Sequence, residues 1–107
     1  MQVQVNRVMS YQGPAVQYRG DDGWPAMVCV PVLIAVGCDG QMFQLPNRMR
    51  YEDNGDGDYY PAFDFSLCRA QEMESEILDR GYINADHWVA VSEEDMRDYN
   101  QGAYGWA

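Results

Sequence analysis

The chain has 107 residues and a formal net charge of −10, with no lysine, so all seven basic residues are arginine. The length suits one domain, 1–107, with one modest core, and an apolar content of 47% with three Trp and eight Tyr argues for folding rather than disorder. The charge disfavours direct contact with nucleic acid or an anionic membrane. The one long apolar run, Ala26–Cys38, has 13 residues against the roughly 20 that span a bilayer.

Residues 1–20 are expected as one or two strands. Gln2-Val3-Gln4-Val5 alternates, and Val8-Met9 continues the pattern with a phase slip that reads as a bulge. Gly13-Pro14 reads as a turn before a second short strand, Ala15–Tyr18. Arg19-Gly20-Asp21 is a triplet that arises often by chance, and Gly20–Gly23 reads as a polar turn. No charged segment followed by an apolar one opens the chain, so a cytoplasmic protein is expected.

The apolar run organises the rest. Pro31 interrupts it and cannot donate to a ladder, so the strand either bulges there or starts at Val32. Asp39-Gly40 follows, and then Gln41–Leu45. Asp-Gly between two such runs predicts a two-residue hairpin turn with positive φ at both positions. That register pairs Cys38 with Gln41, Val36 with Phe43 and Ile34 with Leu45. Ile34, Val36, Phe43 and Leu45 then share the core face.

Arg48–Tyr51 reads as a strand, Glu52–Asp58 as a polar surface loop, and Tyr59–Phe63 as an extended aromatic segment. The best helix runs from Phe65 to Arg80. Asp64 or Ser66 caps its start and Gly81 its end. Leu67, Ala70, Met73, Ile77 and Leu78 fall on one side at about 100° per residue. Glu72, Glu76 and Asp79 fall opposite, with Arg69 at their margin. Glu72 and Glu76 are like charges at i,i+4, and Glu76–Arg80 is the pair expected to offset them. Tyr82-Ile83 and Trp88–Val91 read as strand, broken at Asn84-Ala85-Asp86. A short helix is expected after Ser92, with Glu93, Glu94 and Asp95 in its first turn. The tail from Gln101 is rich in glycine and aromatics. The fold class is therefore α+β: an antiparallel sheet of four to six strands, one main amphipathic helix packed on one face, and a short C-terminal helix.

Catalytic parts are thin. Cys29, Cys38 and Cys68 are odd in number, form no C-x-x-C pair and are expected as buried free thiols. Cys68, in the first helical turn, is the best of three poor nucleophile candidates. His87 is the one histidine. Glu52, Asn54, Asp56 and Gly57 match the start of a calcium loop, but Phe63 stands where a bidentate Glu belongs. No metal, cofactor or catalytic residue is expected, and the chain reads as a non-enzyme.

Charge distribution is the strongest signal. Residues 1–51 hold three acids and four Arg, while residues 52–107 hold fourteen acids and three Arg. Carboxylates spaced on a helix and a loop imitate the phosphates of a nucleic acid and suit the basic groove of a protein that handles one. The expected function is an acidic inhibitor of such a protein, acting by DNA-mimic electrostatics and occlusion. Phage-encoded anti-defence proteins, such as anti-CRISPR and anti-restriction inhibitors, are of this size and charge. The expected contacts are Asp53, Asp56 and Asp58 in the loop, Glu72, Glu76 and Asp79 on the helix, and Glu93, Glu94 and Asp95 after it. Tyr59, Tyr60 and Trp106 are the candidate aromatic anchors. An immunity protein or antitoxin against a basic nuclease toxin, or a structural self-assembling phage-type subunit, are the alternatives. The oligomeric state is left open.

Overall fold

A computed structural model of the chain describes residues 1–19, 25–53, 59–92 and 94. Among these residues seven strands, one α-helix and one 3₁₀ turn follow in order. They are β1 (Gln2–Arg19), β2 (Pro25–Gly37), β3 (Met42–Gln44), β4 (Met49–Asp53), β5 (Tyr59–Phe63), α1 (Leu67–Arg80), β6 (Tyr82–Asn84), the 3₁₀ turn Ala85–His87, and β7 (Val89–Val91). Five strands form an antiparallel sheet in the order β6-β1-β2-β3-β7, and β4-β5 form a separate pair. The α+β class with one main helix stands. The short C-terminal helix expected after Ser92 lies outside the described residues but for Glu94, and the short helical piece that is present is the 3₁₀ turn before β7.

β1 is one strand, not two. Its pairing with β2 slips between Val5 and Arg7 and again between Gln12 and Ala15. Each slip places one extra residue in β1, so the first is the bulge expected from the phase of Val5 and Val8. The second replaces the turn expected at Gly13-Pro14, because a bulge also accommodates a residue that cannot donate. β2 passes through Pro31, which sits opposite Gln12. The Pro31 carbonyl accepts from Asn47 Nδ2 at 3.0 Å, so this residue's ladder groups face away from β1 and the missing N–H leaves no gap there.

The turn between β2 and β3 differs from expectation. Gly40 donates to the Gly37 carbonyl at 2.9 Å, and Gly37 donates to the Gln41 carbonyl at 2.7 Å. Gly40 has φ +90°, and among the described residues no other residue type has positive φ. This is a three-residue loop, a type I turn closed by a left-handed glycine. Asp39 instead uses its carboxylate, which accepts the Gln41 N–H at 3.0 Å. The longer loop shifts the ladder by one residue, so Phe43 faces Ala35 and Met42 faces Val36. The core face therefore carries Leu33, Ala35, Phe43 and Leu45 rather than Ile34 and Val36. Ile34 and Val32 are fully buried all the same, on the other face of β2. β5 packs against β2, and central β2 is covered on both sides.

The sheet has to curl. β6 and β7 are its two edges, yet only Ala85–Trp88 separate them in sequence. Five flat strands would hold those edges about 19 Å apart, while a 3₁₀ turn rises only about 2 Å per residue. Trp88 packs against the core, and α1 lies on β1 and β2. Val5, Val8, Leu33, Ala35, Phe43, Phe65, Ala70, Ile77 and Ile83 fill the space between.

Candidate protein-interaction surface

Local chemistry defines α1. Ser66, not Asp64, is the N-cap: its hydroxyl accepts the Arg69 N–H at 3.1 Å. Gly81 ends the helix in the left-handed region at φ +83°, donating to the Ile77 carbonyl at 2.8 Å. The Gly81 carbonyl then accepts the Val5 N–H at 3.0 Å, which ties the helix end to β1. Ala70 and Ile77 are buried and Met73 packs beside them. Leu78, expected on this face, is 49% exposed. It lies about 100° round the helix from Ile77, beyond the narrow strip that touches the sheet.

The opposite side of α1 is anionic. Glu72, Glu76 and Asp79 are all exposed there, as expected. Arg69 is more than marginal. One of its guanidinium nitrogens meets Glu72 Oε2 at 3.0 Å and Glu76 Oε1 at 3.2 Å. The hydrogen bond to Glu72 first, and that to Glu76 next, raise the Arg69 pKa above its ordinary value. This contact relieves the Glu72–Glu76 repulsion. The expected Glu76–Arg80 pair is not the one that forms: Arg80 Nε donates to the Tyr82 carbonyl at 2.8 Å, with its guanidinium carbon 5.3 Å from the Tyr82 ring centroid. The i, i+3, i+7 spacing of Arg69, Glu72 and Glu76 is the sequence signal for the clamp.

The remaining candidate contacts are spread out. Asp53 ends β4, and Tyr59 and Tyr60 open β5. Glu94 is exposed. Asp56, Asp58, Glu93, Asp95 and Trp106 lie outside the described residues, as do Asn54 and Gly57 of the partial calcium motif. Helix α1 brings Glu72, Glu76 and Asp79 together, while the β4-β5 pair meets the body at β2. Arginines of the first half also mix with acids of the second. Arg50 bridges Glu52 and Asp64, each at 3.0 Å, and Arg48 donates its backbone N–H to Asp64 at 3.1 Å. The Met1 ammonium meets Asp86 at 2.9 Å.

The thiols overturn an expectation. Cys29, Cys38 and Cys68 are free and exposed. Cys29 lies on the face of β2 that carries Leu33 and Ala35, beyond the covered part of the ribbon. Cys38 sits in the turn, and Cys68 on the solvent side of the first helical turn. His87 is exposed in the 3₁₀ turn. Among the described residues no three His, Cys, Asp or Glu side chains gather as a metal-holding set, and no helix is long and apolar enough to cross a membrane. No family model matches the chain, and neither a curated protein nor a solved structure matches it.

Proposed function

We propose that this chain is a small acidic binding protein that inhibits a nucleic-acid-handling protein, by occupying its basic groove rather than by catalysis. The observation that carries this reading is the solvent side of α1, where Glu72, Glu76 and Asp79 stand exposed on a helix anchored at both ends. A rigid, repeated row of carboxylates suits Arg and Lys side chains that otherwise hold phosphates. Arg69 neutralises part of the row and holds Glu72 and Glu76 in one arrangement, which lowers the ordering cost on binding. The inhibitor is of the anti-defence type, acting on a CRISPR or restriction complex. An immunity protein against a basic nuclease toxin uses the same electrostatics, and the identity of the partner separates the two.

A self-assembling subunit is the second reading, favoured by β1. Its outer edge is paired to β6 only at Gln2–Gln4 among the described residues. The bulge at Gly13-Pro14 interrupts that edge, as in strands guarded against pairing, so this reading ranks lower.

The test is affinity capture with the chain as bait, eluted with duplex DNA or with salt, beside the triple variant E72R/E76R/D79R. The expected result is a basic nucleic-acid-processing protein that DNA displaces and the folded variant fails to retain. Equal retention by the variant at low and high salt overturns the reading. Recovery of the chain alone, with an oligomeric mass in solution, moves it to the assembly class.

A further inference from the structure

We draw no further inference here: the strongest candidate, the outer end of the β1–β2 ribbon where Met27 and Cys29 share an exposed face with Ala15, carries nothing because nothing in the structure shows what covers it.

Discussion

Asn47 and Phe65 exchange two hydrogen bonds: Asn47 Nδ2 donates to the Phe65 carbonyl at 2.9 Å, and the Phe65 N–H donates to Asn47 Oδ1 at 3.1 Å. The second Nδ2 hydrogen goes to the Pro31 carbonyl at 3.0 Å. One side-chain amide thus joins β2, the approach to β4 and the approach to α1. It also satisfies three backbone groups that have no ladder partner, and Phe65 itself is buried in the core.

Asn47→Ala should therefore destabilise the fold by about 2–3 kcal/mol, because partly buried backbone groups lose their partners. Asn47→Asp should cost at least as much near neutral pH, since a carboxylate would face two carbonyl oxygens. Urea denaturation of the three proteins checks this. A shift below about 0.5 kcal/mol in both variants would mean that water replaces the amide without penalty.

The β2–β3 turn makes a second prediction. Gly40→Ala forces an alanine to φ +90° and should cost about 1–2 kcal/mol. Gly37→Ala meets a different obstacle. A Cβ there would lie 2.7 Å from Asp39 Oδ1 and 3.3 Å from the Gln41 carbonyl oxygen. It should displace the Asp39 carboxylate from the Gln41 N–H and lower stability by about 1 kcal/mol. Thermal unfolding reads both. If instead Asp39→Gly stabilised the chain, the two-residue turn would be the better description of the hairpin.

Neighbouring helix positions should behave oppositely. Ile77→Ala removes a buried side chain and should cost about 2–4 kcal/mol. Leu78→Ala should stay within about 0.5 kcal/mol, because Leu78 is half in solvent. Similar losses at both positions would mean that Leu78 is covered in solution, as in an assembly.

Arg69→Gln should release Glu72 and Glu76 from their shared cation. The effect on the midpoint should be small, since all three groups are exposed and screened by salt. It should be larger at low ionic strength than at high, because the like charges one turn apart are then unscreened. The raised Arg69 pKa adds no pH dependence near neutrality. A group whose folded pKa is raised contributes fully below its unfolded pKa and loses that contribution only as pH climbs through the folded one, here in strong alkali. A midpoint with no salt dependence in either protein would remove the clamp from the account.

All three cysteines should react with a water-soluble thiol reagent in the native state, with the circular dichroism spectrum unchanged. One thiol that labels only in denaturant would identify a covered position, and Cys29 on the outer ribbon is the informative one.

What was legible in the sequence was local. Ser66 and Gly81 bound α1 through hydrogen bonds to residues three or four positions away, so residue type alone marks both ends. The bulge near Asn6 shows in the broken alternation, and the break before the last strand shows at Asn84, whose side chain accepts the Asp86 N–H at 3.2 Å. The exposed acids of α1 follow from helical period against an apolar strip. For the helix ends and the Asn84 turn the deciding interaction lies within about one turn of chain.

The tertiary structure decided the rest, because those choices depend on partners far along the chain. Asp-Gly is compatible with a two- or a three-residue loop, and the one-residue difference moves Phe43 from Val36 to Ala35. Which loop forms depends on Gly37 and on which face of β2 the helix and curled sheet cover. The run Val32–Ala35 is apolar at every position, so it carries no alternation to choose a face, and it is buried on both. The exposure of Cys29 and Leu78 reflects where the covering layer stops, not residue type. The sequence by itself determined the main helix with its ends, the long apolar strand and the sign of the charge. Only the packed chain set register and strand order, because each needs groups from distant parts of the chain brought together in space.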